Sequence, residues 1–546
     1  MSCRSNKTFE MQDKPIKAVK KRAATPQYVS PNQLILLGFD TPFDQKLYKG
    51  NRWVKMAQSI PWDSIVPYYD KLFRSSEGRP PISGRVILGS IFIKHLGDLS
   101  DRETIAQIQE NMFMQYFLGY SSFTNEAPFS PTLFVEIRER LSLDLLSKIN
   151  DVIAVLSVQK EMIEEGKLQQ STRKSTGDSP GPTIKQGNQD EQATDTSAKP
   201  TVEYNPEITE KPPTDPPTVP LKTNKGKLLM DATVAPQNIT FPTDLKLLNA
   251  ARIKSEEIID FLHDPKLHGQ IKVRTYRQIA RKDFLNTAKK RHKTNKEIYK
   301  SNGSQLRYLK RNLAHIETLL EAYKKPIPLN AGQLKYLMVL HTVYEQQQLM
   351  HSSRIKRVDD RIVSIHQPHV RPIVRGKEKA KAEFGSKLQV SMVAGYIFID
   401  HFSWDAFNEG NYLMSSVEKY KIRFGFYPAQ VLADQIYCTR DNRKQLKLLD
   451  IQLMAKPLGR PSAQALKVHL SPGERNPVEG KFGQAKVAYG LEKIRAKLST
   501  TSQSWIAAIA IVLNLVKLTR QALMRLIFLV NKRNCLKWNN LVILYL

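Results

Sequence analysis

From Tyr28 to Val158, apolar residues recur at the three-and-four spacing of helices that bury one face. Ser100-Asp101-Arg102-Glu103 reads as a capping box, opening a helix with Ile105, Ile108 and Met112 on one side. Ser130-Pro131 reads as the start of another, with serine as N-cap and proline at the first helical position. Short consecutive helices with Arg138 and Arg140 exposed fit a helix-turn-helix-like DNA reader or a plain bundle equally well. The pattern lapses after Val158. Residues 159–226 are rich in Ser, Thr, Pro, Gln, Asp and Glu and hold too few large apolar side chains to form a core, which predicts a linker. Pro212-Pro213 and Pro216-Pro217 stiffen it locally. Residues 1–27 read as a polar, lysine-rich disordered arm.

From Lys227 the reading becomes α/β. Leu228 to Ala235 is a buried strand, with Asn238 to Thr243 as its hairpin partner. A basic helical stretch follows over about 245–357, in which Leu306, Leu309, Leu313, Ile316 and Leu320 mark one apolar face. Strands are expected at Arg361–Ile365 and Leu388–Ile399, then a strand ending at Asp434. A helix and strand come next over Lys444–Leu453, and then a helix carrying Glu479. After Arg520 apolar and basic residues alternate without an assignable element, so residues 519–546 are set apart as a tail.

Charge sharpens this picture. Lysine and arginine number 83 against 52 acids, a formal net charge of +31. Such an excess favours a polyanionic partner, with nucleic acid foremost and a merely basic soluble protein as the plain alternative. Lys and Arg are densest over Arg274–Lys310, which favours contact with a DNA backbone over a solvated face. Three isolated cysteines (Cys3, Cys438, Cys535) make no zinc pattern and fit a reduced, cytoplasmic protein. The N-terminus lacks an apolar signal core, and the run from Trp505 to Leu515 reads as too short for a bilayer, so no membrane role is expected.

Three acids stand out by their settings. Asp231 ends the run Leu228-Leu229-Met230, and Asp434 ends Val431-Leu432-Ala433. Glu479 falls early in a helix, within Glu474-Arg475-Asn476-Pro477-Val478-Glu479-Gly480-Lys481. Carboxylates are ligands for hard cations, and metals so held can stabilise both oxygens of a phosphodiester displacement. Each aspartate has an ordinary alternative as a strand-end cap. Glu479 has a sharper one, since Asn476-Pro477-Val478-Glu479 fits N-cap to N3 of a capping box. Against that, Arg475 and Lys486 flank Glu479, the lysine two turns on along the same face, where they suit a phosphate. His366 and His369 read as structural rather than as metal ligands. Asp244, Asp400 and Asp441 are reserve carboxylates.

Three segments together carry a resemblance. They are 228–245 (Leu-Leu-Met-Asp-Ala-Thr-Val-Ala-Pro-Gln-Asn-Ile-Thr-Phe-Pro-Thr-Asp-Leu), 370–377 with 383–388, and 474–486 (Glu-Arg-Asn-Pro-Val-Glu-Gly-Lys-Phe-Gly-Gln-Ala-Lys). They resemble the DDE transposases of bacterial insertion sequences, in the insertion-sequence-four/five superfamily. The helical stretch around Ile82–Leu141 resembles that family's N-terminal transposase domain. The resemblance implies an α/β RNase H-like catalytic domain over 227–518 with a helical insertion, between its second and third strands, preceded by an all-α DNA-binding domain over 28–158. It implies Asp231, Asp434 and Glu479 as catalytic metal ligands, Arg475 and Lys486 on DNA phosphates, and Mg²⁺ as cofactor with Mn²⁺ as a substitute. It further implies cleavage at terminal inverted repeats, strand transfer into target DNA, and a homodimer or larger synaptic complex. The tyrosine expected three residues before Arg475 is replaced by Pro472. Two rivals remain open: a nuclease of the same fold that never joins ends, and a non-catalytic DNA-binding descendant. Three carboxylates converging within reach of a metal favour an enzyme, whereas dispersed ones favour the descendant.

Overall fold

The computed structural model describes residues 47–73, 81–175, 224–323, 327–374, 382–455 and 473–543. The predicted arm, most of the linker, Arg375 to Lys377 and Pro472 lie outside them.

The described N-terminal region is helical: α1 (Arg52–Ser59), α2 (Trp62–Asp70), α3 (Gly84–Leu96), α4 (Asp101–Glu110), α5 (Met112–Leu118), α6 (Leu133–Arg140) and α7 (Leu143–Ser175). The capping box at Ser100 and Glu103 is present, each residue serving the other's backbone N–H. The start predicted at Ser130-Pro131 is not. α6 begins at Leu133, and the Ser130 hydroxyl pairs with Thr132 rather than capping the helix. Arg138 is likewise no exposed DNA reader. It grips Asp101 with its two terminal guanidinium nitrogens (2.8 and 2.9 Å) and lies over the Trp505 ring. α7 also runs to Ser175, so residues 159–175 continue the helix where a linker was expected.

The remainder is built on one mixed sheet. Its strands are β1 (Lys227–Pro236), β2 (Arg371–Val374), β3 (Ala382–Val393), β4 (Tyr396–Ser403), β5 (Gln430–Leu432) and β6 (Gln452–Met454). β1 pairs antiparallel with β3 and parallel with β5, and β6 extends the sheet beyond β5 in parallel. β2 and β4 both pair antiparallel with β3. The predicted hairpin partner at Asn238–Thr243 is a loop, and β1 takes β3 instead, far along the chain. Arg361–Ile365 is also without strand structure, and the run from Leu388 to Ile399 is split by a turn into β3 and β4. The basic stretch forms α8 (Asp244–Leu262), α9 (Pro265–His268), α10 (Arg277–Ala288), α11 (Asn295–Glu321) and α12 (Ala331–Ser352). It interrupts the sheet after β1, not between the second and third strands. Its own core joins Leu248, Ile259, Leu309, Ile316 and Leu340, and Leu319 rather than Leu320 completes the buried face of α11.

Helices α13 (Leu413–Phe424), α14 (Arg440–Leu448), α15 (Asn476–Ala488) and α16 (Ser499–Ile543) cover the sheet. Alternation along β1 divides its side chains between two cores. Leu228 and Met230 pack with Tyr420 of α13 and Leu446 of α14. Leu229 and Ala235 face Val478 and Ala485 of α15 and Ile506 and Leu513 of α16. α16 is a single helix through the predicted tail boundary at 518/519. Its stretch Ser499–Gln521 is apolar and long enough to cross a membrane, contrary to the shorter reading, but 78% of the most apolar window is buried inside the protein. Ala507, Ala508, Ile511 and Leu515 pack against the N-terminal helices, while Ile506, Ile509 and Leu513 pack against the sheet. That double burial explains an apolar composition on all sides.

Candidate active site

Strand pairing sets the first two acids side by side. Leu229 of β1 is paired in parallel with Leu432 of β5, and two residues further along each chain stand Asp231 and Asp434. The two carboxylates therefore leave neighbouring backbones at one level. Asp231 is not at a strand end, as the sequence suggested; β1 runs on to Pro236, and Asp231 lies opposite Val390 of β3. Its alternation places it on the face covered by α15. Asp434 does follow the end of β5, where it caps a single 3₁₀ turn over Gln435–Tyr437 by accepting from the Gln435 N–H at 2.8 Å.

Arg475 stands at the N-cap of α15 and reaches both acids. Its Nη1 lies 3.1 Å from Asp434 Oδ1 and its Nη2 lies 3.6 Å from Asp231 Oδ2. One guanidinium is thus shared between two carboxylates of unequal exposure, Asp231 at 18% and Asp434 at 56%. The sequence placed this arginine on phosphate; in the protein alone it is the counter-ion of the aspartate pair.

Glu479 occupies the first turn of α15 and is exposed. The capping-box alternative fails, because the helix begins at Asn476 and its N-cap residue, Arg475, makes no side-chain cap bond. Arg475, Glu479 and Lys486 follow at spacings of four and seven, along one side of the helix. Val478 and Ala485, seven apart on another side, anchor it to the sheet. Among the described residues, no group of three His, Cys, Asp or Glu side chains is close enough to hold a metal ion. Asp231 and Asp434 meet around a cation, and Glu479 does not complete a threefold set with them. Two carboxylates converging on one positive charge are a donor pair that suits a hard divalent ion; the convergence of all three, set out as a test above, is met only for the aspartates.

A buried polar cluster supports this end of the sheet and escaped the sequence reading. Tyr437 has its hydroxyl 2.8 Å from the Gln389 amide nitrogen and 3.0 Å from its carbonyl oxygen. Burial pushes that phenol far above its usual value, followed by the negative charge of Glu409; Gln389 and Arg475 oppose, and Asp231 adds to the rise. Lys387 in turn pairs with Glu409 at 2.9 Å. Gln389 within Leu388-Gln389-Val390 was the available signal, a polar side chain inside an apolar strand.

The reserve residues are engaged elsewhere. Asp244 pairs with Arg361 and accepts from Gln347 at 3.1 Å. Asp400 pairs with Arg423 at 2.8 Å, and Asp441 is exposed in the first turn of α14. His366 meets the Tyr336 hydroxyl at 2.9 Å, and His369 packs edge-on against Trp404. On the helical insertion, Arg281, Lys282, Lys289, Arg291, Lys293 and Lys296 are all exposed.

Comparison with known proteins fits this layout. Residues 41–140 match the transposase domain family DUF772, and residues 431–516 match the transposase DDE domain. The second match spans Asp434, Arg475, Glu479 and Lys486. A protein of Rhizobium meliloti described as uncharacterized protein ORF8 in the nfe locus is 33% identical over 88 residues, 16% of this chain. The chain spans 42% of that relative's length. No solved structure matches.

Proposed function

From the matches of residues 41–140 and 431–516 to transposase domain families, which support a DDE transposase, we propose that the chain cuts DNA at the terminal inverted repeats of its element and joins the freed ends to target DNA. The observation that carries this reading is the approach of Asp231, on β1, and Asp434, two residues past the end of the neighbouring parallel strand β5, to one guanidinium, Arg475. The strand order supports an RNase H-like fold: a central β1, with β3 antiparallel to it and β4 antiparallel to β3 on one side, and parallel β5 and β6 on the other.

Asp231 and Asp434 would hold a divalent ion, Mg²⁺ or Mn²⁺, and Glu479, which does not converge with them in this structure, would join as the third ligand only by moving toward them. When bound, such ions supply the Lewis acidity that activates water and steadies the leaving oxygen. The protein's own part is positional. Asp231 is fixed by the pairing of β1 with β3, and Asp434 is fixed by the turn it caps. Arg475 and Lys486 lie along the side of α15 that carries Glu479, where they clamp phosphates near the scissile bond. The exposed lysines and arginines of α10, α11 and the segment between them hold the duplex through its backbone, without reading its sequence. The N-terminal helices contribute end recognition. The 3′-hydroxyl released by cleavage then attacks a target phosphodiester in the same site. Assembly as a homodimer or larger synaptic complex in the cytoplasm completes the reading.

Asp231→Asn tests it. A labelled element-end duplex should still be bound by this variant and no longer be cut, whereas loss of binding as well would make Asp231 a structural residue. A second reading, a non-catalytic DNA-binding descendant, is favoured by one observation, the failure of Glu479 to close a three-carboxylate group. Binding of the end by the wild-type chain with no cleavage in Mg²⁺ or Mn²⁺ would support it.

A further inference from the structure

We infer that Arg475 is a displaceable counter-ion that closes the aspartate pair until DNA arrives, so that metal binding and DNA binding are coupled through this one side chain. The inference rests on the active-site reading above and specifies how that site is loaded.

The geometry supports a resident that is held without being locked. A guanidinium carries five donors in a rigid fork and pairs best with one carboxylate through two parallel bonds. Arg475 does not have that arrangement. Its Nη1 serves Asp434 at 3.1 Å, its Nη2 stands 3.6 Å from Asp231, beyond hydrogen-bond range, and its Nε is buried with no hydrogen-bond partner among the described residues. The side chain is 20% exposed, so it has a route to solvent. Its charge of +1 also leaves the two carboxylates one negative charge in excess.

Charge then dictates the exchange. A divalent ion matches two carboxylates better than a guanidinium does, but it must enter a gap already holding a positive charge. Repulsion between the two cations opposes entry while Arg475 remains. A DNA phosphate beside α15 offers Arg475 the bidentate partner that it lacks. Once the guanidinium turns to phosphate, the aspartates become available. Linkage requires the reverse as well: metal on the aspartates drives Arg475 toward DNA and tightens the complex. The device limits metal-loaded sites, and hence stray cleavage, to protein already on DNA.

The test is direct titration of the full-length chain with Mn²⁺, followed by electron paramagnetic resonance, with and without a short blunt DNA duplex. Arg475→Gln should bind Mn²⁺ roughly 5-fold tighter or more than wild type in the absence of DNA. Arg475→Lys, which keeps the charge as a compact ammonium without the planar fork, should fall between. Adding duplex should tighten Mn²⁺ binding in wild type and change it far less in Arg475→Gln. Thermal melting of each variant, with a larger Mn²⁺-induced rise for Arg475→Gln, confirms that folded protein is compared. Equal Mn²⁺ affinities for folded wild type and Arg475→Gln would overturn the inference. A different result marks failure of the underlying site: Mn²⁺ binding unchanged in Asp231→Asn/Asp434→Asn would remove the aspartates as ligands, and the counter-ion role with them.

Discussion

Asp231 on β1 and Asp434 just past the end of the parallel β5 each lie two residues beyond the paired Leu229 and Leu432, and Arg475 reaches both from the start of the covering helix. The sheet fixes the spacing of the two acids, while a helix distant in sequence supplies the charge between them. An acid at 231 without its neighbour would be an ordinary half-buried carboxylate. Paired, the two make a site for a cation.

Removing a carboxylate from this pair should affect chemistry more than folding. Asp434→Asn keeps an acceptor for the Gln435 N–H and therefore the turn. Its melting temperature is expected to stay within a few degrees of wild type, while end cleavage falls by about 100-fold or more, as for loss of a group that acts on developing charge. A gel-based cleavage assay beside a melting curve checks both; a large drop in melting temperature would recast Asp434 as a structural cap.

Helix α16 should be sensitive at a single buried amide. Asn514 accepts from the Ile397 N–H, donates to the Ile397 carbonyl, and donates to Asn150 of α7, each at 2.8 Å. Asn514→Leu leaves the Ile397 N–H and the Asn150 Oδ1 without that partner in a buried core, while the Ile397 carbonyl keeps Asn150 as donor, at a cost of about 2–4 kcal/mol. Urea unfolding measures it. A cost below about 0.5 kcal/mol would show that the amide does not tie the N-terminal helices to the sheet.

Lys481 offers a test with pH. Burial, then the charges of Lys517 and Arg520, lower its amine from the usual 10.5 to about 8. Below pH 8 folded and unfolded chains are both protonated there, and the folded chain bears the full penalty of the charge. Between about 8 and 10.5 the folded chain sheds the proton first, so the penalty fades as pH rises. Lys481→Met should therefore stabilise the protein at pH 7 by about 1–2 kcal/mol, after allowance for partial exposure. The gain should shrink toward pH 10. A gain independent of pH would locate the effect in packing instead.

His369 should act in the acid range. Burial, then Lys335 and Arg371, hold its imidazole down at about 4. As pH falls from about 6.5 toward 4, the unfolded chain takes up a proton that the folded chain refuses, and stability drops. His369→Gln is expected to flatten that part of the stability profile, measured as melting temperature against pH relative to wild type. Parallel profiles would exclude the histidine as the cause.

Local signals in the sequence were read well where the physics is local. The Ser100 capping box, the strand through Leu228–Ala235, the face of α11 and the start of α15 near Glu479 all depend on neighbours within a turn or two. Strand partners were not legible in this way. β1 pairs with β3 across the whole helical insertion, and no nearby turn announces it. Arg138 looked exposed because its partners, Asp101 and Trp505, lie far from it in the chain. Arg475 illustrates the same limit at the site: its spacing from Glu479 suggested phosphate, but its contacts are with acids that only the sheet brings close.

Strand transfer in vitro tests the central claim most directly, with purified protein, Mg²⁺, a labelled element-end duplex and a plasmid target. The expected result is a joined product with wild-type protein and none with Glu479→Gln. Cleavage without joining, or tight end binding with neither reaction, would contradict it.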